Sequence, residues 1–232
     1  MQVGSPSSHV LVNFIFIHFI LTLPAIAASE ALCVIGDYPT LTALSKMPLH
    51  HARCFDDKLN TYSNLVRALS SSGNIDECID TCVSVLSQLG ESLPTKVTPE
   101  VYFDEVAKVR QSLMGLSRQD LWSLPLMTDL NKLTAMQFLN HMLIVTYTAK
   151  PPLNPIVVFR MMKMSVDFGV CNISAIAFSC YGAWLASSLN DDYDAAFAMG
   201  RFASELMKKL SGAESVPRIY AVVYGMINFY KE

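Results

Sequence analysis

Residues 58–94, KLNTYSNLVRALSSSGNIDECIDTCVSVLSQLGESLP, decide the predicted fold. In the first half, four apolar side chains recur at i, i+3, i+4 and i+7, which is the spacing of one helical stripe: Tyr62, Leu65, Val66 and Leu69. Gly73 and Asn74 then interrupt the pattern, because both residue types tolerate the left-handed backbone that ends a helix.

A second helix is predicted directly after this turn. Asp76 and Glu77 open it, where carboxylates favour the positive end of the helix dipole. Gly90 and Pro94 end it. One side of this helix is apolar: Ile75, Cys78, Ile79, Cys82, Val85, Leu86 and Leu89. Since two helices cannot cover so wide an apolar face, the hairpin is typical of one unit in a helical repeat array.

The whole chain is therefore predicted to be all-α, as a right-handed α-solenoid of antiparallel helix pairs of the tetratricopeptide type. Turn residues recur about every forty residues, at the long end for such pairs and overlapping the HEAT and armadillo range: Gly36, Gly73, Gly115, Pro155 and Asp192. This spacing gives roughly five units. The third unit is irregular, because residues 117–125 are too short for a second helix; Ser117 and Asp120 suit a capping box on a single turn.

Later elements follow the same rhythm. We expect long helices over residues 129–149 and 155–168, the first with an apolar register ending at Tyr147. Residues 173–189 and 193–210 form the last predicted hairpin, with Asn172 as the N-cap of its first helix. Small residues let the two backbones approach: Ala183, Ala196, Gly200 and Ala203. A final helix over residues 217–230 is predicted to lack a partner.

Residues 1–28 form a separate apolar leader without any Asp, Glu, Lys or Arg. The run over 10–21 and the small residues at 25–28 suit a cleaved secretory signal, or an uncleaved membrane anchor over 10–28. A leader foreign to the natural chain is the third alternative. Localisation follows from this choice: the secretory pathway or a membrane if the leader is genuine. Residues 29–232 are the predicted helical repeat domain.

Composition limits the class of partner. The formal net charge is −3, which disfavours nucleic acid as a partner. Apolar residues make up 52% of the chain and charged residues only 16%, as expected for helices with large buried faces. Where terminal repeats lack polar caps, such a chain is expected to self-associate through its ends.

The best candidate for a metal site combines histidine and cysteine side chains: His50, His51, Cys54, Cys78 and Cys82. Zinc uses such ligands. However, Cys78 and Cys82 fall on the predicted buried stripe, where cysteine packs as a small apolar residue. We therefore expect no metal, no cofactor and mostly free thiols. The methionines of residues 161–164 are expected to fill the core, and no motif for catalysis occurs.

From residue 29 to its end, the chain resembles the tetratricopeptide-like region that follows the nucleotide-binding module in STAND-type predicted ATPases, proteins often joined to protein kinase or hybrid sensor histidine kinase domains. Short segments in family order carry the resemblance: residues 29–31, 36–38, 51–59, 85–94, 124–129, 181–182 and 225–232. The resemblance implies a cytoplasmic regulatory or interaction region. The ATPase and kinase modules of that family have no counterpart in this sequence.

The sequence thus predicts a non-catalytic helical-repeat scaffold that binds a protein partner, or other domains of a larger signalling assembly. The alternative is a secreted or membrane-tethered all-α protein that binds a ligand in its groove. An enzyme is not expected.

Overall fold

A computed structural model describes Leu32 and residues 35–51, 55–94, 96–187, 192–210 and 216–228; the side chains of residues 46–51 and 57 are outside this description. The described residues are almost entirely helical and contain no β-strand, apart from one isolated backbone bridge between Leu126 and Val170. The all-α prediction is therefore confirmed for this part of the chain. It divides into two compact units, Met1–Val85 and Leu86–Glu232.

The first unit contains α1 (Tyr38–His51), α2 (Phe55–Ser71) and most of α3 (Ile75–Gln88). Helix α1 packs against α2. The turn between α2 and α3 has Gly73 at φ +79°, in the left-handed region that the sequence predicted there. Three residues of the α2 stripe are buried: Leu65, Val66 and Leu69. On α3 the whole predicted stripe is buried except Ile75, so both helix assignments in residues 58–94 are confirmed.

The second unit begins with α4 (Pro99–Leu113) and the single turn α5 (Arg118–Trp122). Ser117 caps α5: its hydroxyl accepts from the backbone N–H of Asp120, whose carboxylate accepts from the backbone N–H of Ser117. The predicted capping box on a single helical turn is therefore confirmed. The indole of Trp122 contacts the Phe202 ring at 6.2 Å between centroids, which places this turn against the last hairpin.

Four long helices form the body of the second unit: α6 (Leu130–Ala149), α7 (Asn154–Phe168), α8 (Ser174–Leu185) and α9 (Tyr193–Leu210). Each packs against the next, and α4 packs against α7. Helices α7 and α8 are buried on most sides, as their nearly continuous apolar sequences require. The predicted core role of the methionine cluster is confirmed, since Met161, Met162 and Met164 are at most 1% exposed.

The final helix corrects the prediction. Its described part consists of α10 over Val216–Val222 and a π-helical turn over Val223–Ile227, and it does have a partner. Ile219 and Ile227 are completely buried because this segment lies on α8 and α9. Gly182 and Gly200 leave the space that the Ile227 side chain occupies.

Two smaller predictions were also wrong. Asn172 does not cap α8: the N-cap position is Ile173, without a side-chain hydrogen bond. The Ser174 hydroxyl instead accepts from the backbone N–H of Cys171 at 3.0 Å. Tyr147 does not continue the buried register of α6, since 60% of its surface is exposed. It stands at the side of the groove described next.

Candidate functional site

The second unit contains a groove of about 490 Å³ between five of its helical segments. The end of α6 and the start of α7 form one side, α8 forms the floor, and α10 with the π-helical turn forms the other side. Its lining is mostly apolar: Leu143, Ile144, Tyr147, Thr148, Asn154, Pro155, Val158, Ile176, Cys180, Ala183, Trp184, Arg218, Ala221, Val222 and Met226.

The first side of the groove is fixed by the turn between α6 and α7. Pro151 and Pro152 cannot continue α6, so the chain reverses there. Asn154 then holds the two helix ends together. Its side-chain amide donates to the carbonyl oxygen of Leu143 at 3.0 Å and to the hydroxyl of Thr146 at 3.1 Å. The wall is therefore a closed hairpin end rather than two independent helix termini.

The floor runs along α8 from Ile176 to Trp184. The eight residue steps from one end to the other rise about 12 Å, which is the length of roughly two helical turns. The rim is apolar and open to solvent: the exposed fractions are 53% for Ile144, 60% for Tyr147 and 39% for Met226. Large apolar side chains that stand together in solvent mark a binding surface more often than single scattered ones do.

One positive charge lies in this apolar lining. Arg218, on α10, is the only charged residue among the described residues that line the groove. Its Nη2 donates to the amide oxygen of Asn140 at 2.7 Å, which ties the guanidinium to α6. Its Nη1 is buried and has no hydrogen-bond partner among the described residues. A buried charged donor without an acceptor is costly, so this atom is the unusual feature of the site.

Cys180 provides a thiol in the described lining, beside the hydroxyls of Tyr147 and Thr148. Burial raises the pKa of this thiol from its ordinary value of 9.0 to about 11, against the opposing effects of a hydrogen bond with Ser179 and the charge of Arg218. The thiol is therefore protonated at neutral pH, and the thiolate is the reactive form. The described residues of the groove lining include no carboxylate and no histidine that could act as a base.

A second polar cluster in the same unit is built from two acidic and two basic side chains: Glu91, Glu105, Lys132 and Arg160. Arg160 bridges the two carboxylates, with Nη1 3.2 Å from an oxygen of Glu91 and Nη2 3.4 Å from one of Glu105. Lys132 adds a contact of 2.7 Å to Glu91. Because each charge already faces an opposite charge, this cluster joins α4, α6 and α7 to the segment after α3, and we assign it a structural role.

Only some of the predicted metal ligands belong to the described residues. Cys78 and Cys82 lie on the buried face of α3, where a hydrogen bond between the two lowers the pKa of the Cys78 thiol and raises that of Cys82. Cys54 and the side chains of His50 and His51 lie outside the described residues. Within the described residues, no three His, Cys, Asp or Glu side chains are grouped to hold a metal ion. Cys78, Cys82, Cys171 and Cys180 are free thiols.

No helix in the described part of the chain combines the length and apolar content needed to cross a bilayer. The leader over residues 1–28 lies outside that part. Comparison with protein-family models, curated proteins and solved structures gives no significant match to this chain. The resemblance to the repeat region of STAND-type ATPases therefore stays a prediction.

The groove was not among the sites expected from the sequence. Tyr147 carried a misleading signal, because helical spacing alone assigns it to the core. Arg218 carried no signal at all, since its partner Asn140 lies 78 residues away. The one sequence feature that indicated part of the groove was the turn at residues 151–155, because it places the start of α7 beside the end of α6.

Proposed function

We propose that this chain is a non-catalytic helical scaffold that binds a protein partner, and that the partner inserts an amphipathic helix into the groove of the second unit. The exposed apolar rim over an apolar floor is the observation that carries the proposal. Helix-in-groove recognition uses this arrangement, with apolar anchors at i, i+3, i+4 and i+7 along the inserted helix.

The dimensions of the groove support a helix as the occupant. A floor of two helical turns matches the span of anchors at i to i+7. The rim of Ile144, Tyr147 and Met226 leaves the upper side open. An amphipathic helix suits such a groove, because its polar face stays in water while its apolar face is covered.

The finer architecture is part of this proposal. Packed neighbouring helices, the left-handed glycine turn between α2 and α3, and the close α8–α9 hairpin support an array of antiparallel pairs, a right-handed solenoid of the tetratricopeptide type. On this view the chain is the interaction region of a larger signalling assembly of the ATPase or kinase type. A neutral thiol, an apolar lining and a single cation support a binding role without catalysis.

A second candidate is the binding of a small ligand in the same groove. Its volume of about 490 Å³ favours this reading, since small-molecule pockets span roughly 300–1,000 Å³. The two candidates differ in what remains exposed. A small-molecule site covers most of its ligand, whereas this groove keeps large side chains in solvent along its rim.

A selection experiment tests the proposed function. A displayed library of amphipathic helical peptides is selected on the intact chain, and the enriched peptides are then measured on variants. We expect binding to be lost in Ile144→Lys and Tyr147→Lys, because both side chains line the rim and are exposed enough to replace without unfolding. Binding should persist in Met114→Lys, which changes an apolar residue that is even more exposed (78%) and lies outside the groove lining.

Two results would overturn the proposal. The first is an absence of enriched amphipathic helices. The second is enriched peptides whose binding is unaffected by Tyr147→Lys. A third result would support the small-ligand alternative instead: no peptide binds, but the probe octanoate binds tightly and loses this binding in Tyr147→Lys.

A further inference from the structure

The guanidinium of Arg218 has a binding capacity that the described protein leaves unused. An arginine carries five N–H donors in a planar fork. In Arg218 one donor of Nη2 is used by Asn140, whereas the buried Nη1 has no partner among the described residues. The Asn140 contact at 2.7 Å fixes the plane of the fork against α6. A fixed guanidinium loses little side-chain entropy when it forms further hydrogen bonds.

The surroundings of Arg218 select the chemistry of what it binds. Among the residues that the structure describes, no Asp or Glu lines the groove, so this part of the lining does not neutralise the positive charge. The remaining polar groups of the described lining are all neutral: the hydroxyls of Tyr147 and Thr148, the indole N–H of Trp184, the amide of Asn154 and the thiol of Cys180. In such a setting a carboxylate is favoured over neutral acceptors, because charge-assisted hydrogen bonds of arginine with carboxylates are the stronger ones and can be bidentate.

We propose that Arg218 recognises an acidic side chain on the inserted helix, so that the partner carries a Glu or Asp beside its apolar anchors. This inference rests on the proposed function, since it names the specificity of the same groove. The apolar anchors provide the apolar surface that is buried on binding, and the carboxylate sets the register of the helix along the floor. A helix slid by one residue would turn its carboxylate away from Arg218 by about 100°.

The choice of a helical carboxylate over a free anion follows from the neighbours of Arg218. Ala221, Val222 and Met226 continue the same side of the groove as an apolar surface. A free inorganic anion would leave that surface uncovered, whereas an acidic residue within an apolar helix covers it while reaching the guanidinium. A partner with basic residues facing Arg218 is rejected by like charge.

The test uses matched synthetic peptides on the intact chain. Each peptide is an amphipathic helix with leucines at i, i+3, i+4 and i+7, and its ends are acetylated and amidated to remove terminal charge. A Glu is placed in turn at every intervening position, and each peptide has a Gln counterpart. Fluorescence anisotropy measures the affinity for wild type, Arg218→Met, Arg218→Lys and the control Arg201→Met, whose exposed arginine on α9 does not line the groove.

We expect one Glu position at which wild type prefers Glu over Gln by about tenfold, equivalent to roughly 1.4 kcal/mol. The preference should vanish in Arg218→Met, shrink in Arg218→Lys, persist in Arg201→Met and weaken as salt is added. Unchanged binding of the Gln peptides by Arg218→Met shows that this variant is folded.

Equal affinity for every Glu and Gln pair would overturn the role of Arg218 and leave the groove as a helix site. If no peptide of either kind binds, the proposed function itself fails and the carboxylate inference falls with it. A Glu preference that survives in Arg218→Met would also overturn the inference, because a group other than Arg218 would then bind the carboxylate of the peptide.

Discussion

Gly182 and Gly200 offer a matched pair of substitutions that measures how closely the last helices approach. Both glycines lie within helices, Gly182 on α8 and Gly200 on α9. A Cβ atom added at Gly182 would lie 2.9 Å from Cδ1 of Ile227, 3.1 Å from the carbonyl oxygen of Ala196 and 3.2 Å from Cβ of Met199. At Gly200 the nearest atom is again Cδ1 of Ile227, at 3.1 Å, and the next lies at 3.6 Å.

The two sites differ in what can move. Optimal carbon contacts lie at about 3.5–4.0 Å, so both substitutions crowd the tip of Ile227, which can rotate away. Only Gly182→Ala also presses on the Ala196 backbone and on a Cβ atom, which shift only with α9 itself. Alanine gains about 1 kcal/mol over glycine in a helix interior, whereas overpacking costs about 1–3 kcal/mol. We therefore expect Gly182→Ala to destabilise the protein by up to about 2 kcal/mol and Gly200→Ala to stabilise it by about 0.5–1 kcal/mol.

Urea unfolding followed by far-UV circular dichroism measures both changes, with an unchanged slope required for comparison. For a chain of this size, 1 kcal/mol corresponds to roughly 2–4 °C in Tm. The two variants should thus move Tm in opposite directions. If Gly182→Ala raises Tm as much as Gly200→Ala does, α8 and α9 do not approach closely at Ala196, and the reasoning is refuted.

Further predictions concern the ion cluster, the capped turn, the groove thiol and the chain ends. Arg160→Met should lower the free energy of unfolding in urea by about 2–4 kcal/mol, because Glu91 and Glu105 both lose the guanidinium that they share. Glu91 would keep Lys132 and Glu105 would keep Lys108. An unchanged free energy of unfolding would contradict the assigned structural role. Ser117→Ala should cost about 0.5–1 kcal/mol and change the fluorescence of Trp122, since the capping box orients that turn; unchanged emission would count against it. Cys180, followed by peptide mapping, should be alkylated at pH 8 about a hundredfold more slowly than a thiol with the ordinary pKa, and faster as the pH rises toward 11, because its raised pKa leaves less thiolate; fast alkylation at pH 8 would disprove the shift. Self-association through the chain ends stays a prediction, to be checked by sedimentation across concentrations, where a monomer throughout contradicts it.

The sequence was most informative where local chemistry decides the structure. The hairpin of α2 and α3, its glycine turn and the capping box at Ser117 all follow from spacing and from backbone preferences of single residues. Helix type and position could be predicted there because the competing interactions lie within a few residues. The burial of Leu65, Val66 and Leu69 confirmed the same stripe.

Elements were mispredicted where long-range packing decides. The final helix was expected to stand alone, although Ile219 and Ile227 are fully buried on α8 and α9. The Ile227 side chain fits there because Gly182 has no side chain. That the two residues meet can be seen only once the helices are packed together. Tyr147 was assigned to the core because helical spacing does not show where the helices packed against α6 end. Tyr147 lies beyond them, at the side of the groove. The positive charge of the groove comes from Arg218, which is distant in sequence.

Methyl NMR of the methionines tests the central claim most directly, since Met226 lines the groove and Met114 is exposed elsewhere. When the tightest Glu-containing peptide is added, the account predicts that the methyl resonance of Met226 shifts in step with the binding isotherm while that of Met114 stays fixed. A bound peptide that leaves Met226 unmoved, or that moves Met114 equally, would contradict the claim that a partner helix occupies this groove.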